Sequence, residues 1–241
     1  MRMEQRVALV TGVENVLSAE IVKHLARHGY SVALACCDEF DRARALERLC
    51  AVQGVETLLL SGDINVSGTC TKWVADILTF FQRLDVLVCN VGYHTDAKWF
   101  DAKNDTDFLA GAQQEAEGLT ELFQAAATPM AHFNPGRIIS VSLPRGLIDE
   151  SRDALLTSLV EGMTRTMAKE LSRHNITVNA VLPGVIDFPN HVVSDNNALL
   201  NIPLARPGKP SEITDAVGFL LSDSAAYITG VSLPIDGGIR L

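Results

Sequence analysis

Three groups of residues in this chain are of types and spacings that could do chemistry. The first is the turn Thr11-Gly12-Val13-Glu14-Asn15-Val16-Leu17-Ser18, which follows a short apolar run from Arg6 to Thr11 and leads into helical sequence at 18–28. A strand feeding a helix leaves backbone N–H groups and the positive end of the helix dipole facing one point, where a dinucleotide pyrophosphate binds. The second is the charged stretch holding Ser142, Arg145, Asp149, Glu150, Arg152 and Asp153. Two carboxylates held close together can raise one pKa enough to make a general acid. The same residues also suit a solvated loop in which Ser151 or Asp153 caps the next helix. The third is His94, a candidate acid or base in a polar segment at 94–107, or simply a solvated loop histidine.

Hydrophobic patterning supplies a frame for these groups. Arg137 to Ser142 reads as a short β-branched strand, and Ile176 to Leu182 is apolar apart from Thr177 and Asn179, as a parallel strand covered on both faces should be. Between them, Leu155, Leu159, Met163, Met167 and Leu171 recur every four residues along a helix predicted over 153–173. Strand, helix, strand in this order forms one right-handed crossover. The alternation repeats along the chain, with strands expected at 6–11, 31–36, 57–60, 84–89 and 231–235 and helices at 18–28, 39–52, 108–130 and 210–222. A further helix runs through Trp73 and Phe80. The expected fold is α/β: one doubly wound parallel sheet of about seven strands, helices on both faces, and a single domain over residues 1–241. Ser211 is the expected N-cap of the helix at 210–222.

Composition narrows the partners. With 241 residues and 47% hydrophobic content the chain can bury one large core. A net charge of −9 repels phosphate backbones and anionic lipid, so neither nucleic acid nor a membrane is an expected partner. No apolar run reaches the roughly 18 residues of a spanning helix. The five cysteines lack paired metal spacing, and Cys36 and Cys37 are adjacent, so no metal site and a reducing cytoplasm are expected.

Two segments, MAKELSRHNITVNAVLPG from Met167 and RPGKPSEITDAVGFLLSDSAAYITGVSLPIDGG from Arg206, closely resemble the short-chain dehydrogenase/reductase family, the second especially its 3-oxoacyl-(acyl-carrier-protein) reductases. The resemblance extends over the whole chain. It implies a Rossmann domain for NAD or NADP, with cofactor contacts at Gly12, Leu17, Ser18, Asp38, Asp63, Ile64, Asn90, Gly92, Pro183, Gly184 and Ile186. The family turn TGxxxGxG stands here as TGVENVLS, with Val16 at the second glycine and Ser18 at the third. Val16 should hinder a turn needing positive φ or close phosphate approach, which would close the groove. The Leu17-Ser18 pair instead resembles the variant turn of enoyl-(acyl-carrier-protein) reductases, which still holds a nucleotide. Asp63 is a cofactor contact or a turn-capping aspartate. At the end of the second strand, Asp38 and the lack of a cation before Arg42 lean to NAD.

The family's proton relay is Asn, Ser and Tyr-x-x-x-Lys. Its positions fall on Glu115, Leu143 (with Ser142 beside it), Asp153 and Thr157, and no tyrosine lies between Tyr93 and Tyr227. Leucine neither donates nor accepts; an aspartate, with a reference pKa of ~3.9, is ionised at neutral pH and repels a developing oxyanion; threonine brings no charge. Replacing every member of a unit removes nearly all of its contribution. The expected function is therefore that of an oxidoreductase homologue without Ser-Tyr-Lys hydride-transfer chemistry: a pseudoenzyme or ligand-binding oligomer. An atypical NAD(P)-dependent reductase of a carbonyl or enoyl group, using another proton donor, is the alternative. The resemblance further implies a homodimer or homotetramer joined through the long helix and the C-terminal end. A hetero-oligomer with an active paralogue is a third reading.

Overall fold

Each strand forms where the chain can be buried on both faces. Val7–Thr11 (β1), Ser31–Cys36 (β2), Val86–Val91 (β4), Gly136–Ser142 (β5) and Ile176–Pro183 (β6) are almost wholly buried, while Thr57–Ser61 (β3) and Ser232–Ile235 (β7) are half-exposed edges. They pair in the order β3-β2-β1-β4-β5-β6-β7, all parallel, in a computed structural model that describes residues 5–37, 40–91, 105–132, 135–142, 150–188 and 201–241. The order reverses between β1 and β4, the switch point where such sheets bind ligands beyond their carboxyl ends.

The helices are Val16–Arg27 (α1), Phe40–Val52 (α2), Thr69–Phe81 (α3), Asp105–Met130 (α4), Glu150–Leu171 (α5) and Pro210–Leu221 (α6). Strand alternation sorts them into two layers. Val10, Leu34, Val88 and Val141 meet Leu17, Leu46 and Val217 of α1, α2 and α6. Leu9, Ala33, Cys89 and Ile138 meet Trp73, Phe123 and Val160 of α3, α4 and α5. No described helix is long and apolar enough to cross a membrane.

Several boundaries differ from the sequence expectation, each for a local reason. Asn15 caps α1, its Oδ1 accepting Ser18 N–H at 3.0 Å, so the helix begins two residues before the expected Ser18. β4 continues to Val91 because it stays paired with β5 as far as Ser142. Since α5 starts at Glu150, Ser151 and Asp153 lie inside its first turn and neither is its N-cap. Lys209, not Ser211, precedes α6: Pro210 fits the first helical position, and the Glu212 carboxylate accepts Lys209 N–H at 2.7 Å.

The stripe expected on α5 also sits differently. Leu156, Val160, Thr164 and Ala168 are the buried line, and Leu155, Leu159, Met163, Met167 and Leu171 lie one position behind, half-buried. Leu159, Met163, Met167 and Leu171 join Phe123 and Ala127 of α4 around a groove of about 580 Å³.

Two buried features hold the layers in register. The Asn179 carboxamide donates to Ile228 O at 2.9 Å and accepts Val231 N–H at 3.1 Å, sewing β6 to the segment before β7. A Cβ on Gly118 would lie 2.6 Å from Ile64 O, so glycine lets α4 approach the turn after β3. Asn179→Ala should lower the unfolding free energy by about 3 kcal/mol in urea titration, since it strands two backbone groups. Gly118→Ala should cost about 1–3 kcal/mol through forced displacement.

Candidate functional site

β1 and β4 end side by side, and the residues at their tips lock them there. Asn90 Nδ2 donates to Thr11 O at 2.9 Å, and Asn90 N–H donates to the Thr11 hydroxyl at 3.1 Å. That hydroxyl donates in turn to Cys89 Sγ at 3.7 Å. Burial pushes the Cys89 thiol up to about 12, which keeps it protonated. Gly12 follows at φ 66°, a conformation that favours glycine, and a Cβ there would sit 3.5 Å from Asn90 Cβ.

The turn then runs directly into α1. Val16 opens the helix with ordinary φ, since the non-glycine residues at positive φ among those described are Gln82, Asn175 and Ala205. The hindrance expected from Val16 does not arise, because Asn15 shapes the turn as a capped helix start and the valine side chain points outward, 39% exposed. Among the described residues the Val16 and Leu17 amides donate to no turn carbonyl, whereas Asn15 N–H is spent on Gly12 O and Ala19 N–H on Asn15 O. Ser18 Oγ is buried under the turn with no hydrogen-bond partner among the described residues. Two unspent amides at a helix start form an anion cradle.

The space beside this turn is tight. Thr11, Glu14, Cys37, Gly62, Ile64 and Trp73 are among the residues around a cleft of only about 20 Å³. Trp73 Nε1 donates to Ser61 O at 3.0 Å and fixes one wall. Nearby, Arg42, from the first turn of α2, donates from Nη1 to Glu14 O at 2.6 Å. Asp63 Oδ1 accepts Asn65 N–H at 2.8 Å, so this carboxylate shapes its own turn. Asp38 and Gly92 lie outside the described residues.

The residues on the nicotinamide side mainly serve the chain. Gly184 N–H donates to Ile235 O at 2.9 Å, and a Cβ on Gly184 would lie 2.6 Å from Asp236 Cα, so close chain packing requires the glycine. Pro183 closes β6, and Ile186 is buried and bridged to Gly208.

At the catalytic corner, α5 is unbroken from Glu150 to Leu171 and leads through Ser172–His174 to β6. Asp153 and Thr157 thus lie on one continuous helix ahead of β6. Thr157 is half-buried, and Asp153 occupies the first turn, its side chain outside the described set. Glu115 is 8% exposed on α4, and Ser142 Oγ is buried at the tip of β5 with no partner among the described residues. Ser142 shares a strand face with Ile138, which packs in the α3, α4 and α5 layer, so the hydroxyl faces the side from which Glu115 and Thr157 come. Leu143, His94 and Tyr93 lie outside the described residues. Tyr30 and Tyr227 precede β2 and β7 and so stand at the opposite edge of the sheet. The Arg42 bond to Glu14 O is a contact that sequence reasoning missed, since a cation in a charged helix gives no sign of which carbonyl it reaches.

A doubly wound parallel sheet with a glycine turn and a capped helix start at its switch point is a Rossmann-type α/β architecture. Residues 12–240 match a family model described as Enoyl-(Acyl carrier protein) reductase. Nodulation protein G of Azospirillum brasilense is 32% identical, with 99% of each chain covered. A 3-oxoacyl-(acyl-carrier-protein) reductase of Staphylococcus aureus is 30% identical over 97% of this chain and 98% of its own. A short-chain dehydrogenase/reductase from Serratia marcescens superposes with a TM-score of 0.86 at 30% identity, covering 99% of both chains. Acetoin dehydrogenase from Enterobacter cloacae gives 0.83 at 30% identity over 98% of this chain and 96% of its own. This chain belongs to the short-chain dehydrogenase/reductase family.

Asn90→Leu should remove the carboxamide bond to Thr11 and strand a buried carbonyl. The expected cost is about 1–3 kcal/mol by urea unfolding, with a matching fall in the melting temperature.

Proposed function

We propose that this protein is a nucleotide-binding member of its family that has given up tyrosine-dependent carbonyl reduction. What supports this reading is the resemblance, which aligns Asp153 and Thr157 with the family's Tyr and Lys, both lying on the continuous helix α5. A bound NAD(P)H would supply a hydride; the chain would still have to hold the substrate oxygen and deliver a proton. Threonine at 157 offers a hydroxyl and no cation, and the first lysine of α5 is Lys169, more than three turns further along. Val16 and Leu17 would hold the pyrophosphate through their amides, with Ile64, Trp73 and Asn90 walling the adenosine half.

A second reading has its own support. Glu115 and the Ser142 hydroxyl, which has no hydrogen-bond partner among the described residues, face the same side of the sheet, so a carboxyl and a hydroxyl could take over proton delivery in an atypical reductase. The names of the relatives point such an enzyme toward acyl thioesters. In either case the half-buried groove between α4 and α5 supports a homo-oligomer, with a hetero-oligomer beside an active relative as the variant form.

Full-length protein titrated with NADH and NADPH by nicotinamide fluorescence should bind, and should then leave the cofactor unoxidised when 3-oxoacyl or enoyl thioesters are added. Consumption that disappears in Glu115→Gln would overturn the first reading in favour of the second. Met163→Glu should shift the species seen by light scattering toward monomer, and an unchanged mass would remove the groove from the assembly.

A further inference from the structure

The last turn of α1 meets α6 through a pair of histidines. His24 and His28 stand one turn apart, their rings stacked with centroids 4.3 Å apart and planes 28° from parallel. His28 follows the last residue of α1, and its Nδ1 lies 2.8 Å from His24 O; a carbonyl only accepts, so this nitrogen carries a proton and donates. The His24 ring points into the seam with α6. Its side chain is 19% exposed, Nδ1 lies 3.9 Å from Asp215 Oδ1, and Nε2 rests so close to Gly218 that a Cβ there would collide with it. Glycine at 218 thus leaves the slot that the imidazole fills. A hollow of about 540 Å³ opens beside the seam, with His24, His28, Tyr30, Asp215 and Phe219 in its lining.

We infer that this seam is a proton-sensitive clasp: neutral His24 holds the last turn of α1 against α6, and protonating it releases that turn. A charged imidazole is poorly housed where the neutral ring packs, because burial penalises the charged form. Burial, and after it the stacked ring of His28 and the guanidinium of Arg27, hold the His24 pKa below the ordinary imidazole value, while Asp215 opposes them from α6. Asp215 is 74% exposed, so water screens much of its attraction. The other charged and titratable groups at the seam are engaged elsewhere: Lys23 pairs with Glu20 at 2.7 Å, and Tyr30, on the segment before β2, is hydrogen-bonded to Arg6. The sign of the response follows. As pH falls, the unfolded chain takes up a proton at ~6.5 while folded His24 resists it, so stability is complete above that value and is lost below it until the folded ring titrates too. Opening the seam admits the proton, and the hollow gives the ring room to turn toward water. None of this depends on what the crevice at the switch point holds.

The test is urea unfolding of the full chain at pH values on either side of ~6.5, for wild type, His24→Gln and Gly218→Ala. The wild-type midpoint should fall on acidification, and the fall should shrink by about a third or more in both variants. Glutamine takes up no proton, and a Cβ at 218 pushes the ring, the mobile end of its side chain, out of the seam. Amide exchange should show the protection of residues 24–29 dropping with pH in wild type ahead of the sheet, and this local drop should vanish in His24→Gln. Titration of the wild-type imidazoles by proton NMR needs no variant to fold: His24 should take up its proton below the ordinary histidine range. His24 titrating at or above ~6.5, or an acid response unchanged in both variants, overturns the inference.

Discussion

The carboxyl edge of this sheet depends on one short latch. The Asn90 carboxamide and amide grip both polar groups of Thr11, so the tips of β1 and β4 are fixed at the point where strand order reverses. A crevice forms at a switch point only if the two strands part in a defined way, because their following helices leave on opposite faces. Gly12 can then swing the chain into α1, and Asn15 can set the angle of entry by capping it. None of these contacts involves the residues that would perform proton transfer. The frame at this edge is therefore held by Thr11, Gly12, Asn15 and Asn90 alone among the contacts described.

Most of the frame could be read from the order of residues, because fully buried parallel strands leave an apolar signature that few alternatives share. All seven strands and the switch in order follow from that signature and from right-handed crossovers. What escaped depends on tertiary proximity or on size. On α5 the large side chains at 155, 159, 163, 167 and 171 drew the eye, yet the line against the sheet is the one through Thr164 and Ala168. Close packing favours small groups there: a Cβ on Gly230 would already touch Ala168 Cβ at 3.4 Å. Hydrophobic size marked a half-buried groove, not the core contact.

The site was legible in parts for the same reasons. Gly12 could be identified from its match to the family turn, and the fold gives it the left-handed conformation that glycine suits, while Asp63 carried its turn-forming alternative openly. Val16 misled, because the rule that a β-branched residue obstructs a phosphate turn assumes positive φ, and Asn15 removes that need. Gly184 fits the family motif, yet in the fold its small size answers to Asp236 across the chain. Arg42 left no trace in the pattern, since its partner is a backbone carbonyl 28 residues away.

The burial of the thiols has a practical consequence. All five cysteines are unbridged; Cys36, Cys50, Cys70 and Cys89 are buried, and burial holds Cys70 and Cys89 near 12. Only Cys37 is partly open, and it lines the small cleft beside the turn after β1. The native chain therefore already carries a single labelling position at the mouth of that cleft, where an environment-sensitive maleimide would report occupancy without any engineered cysteine.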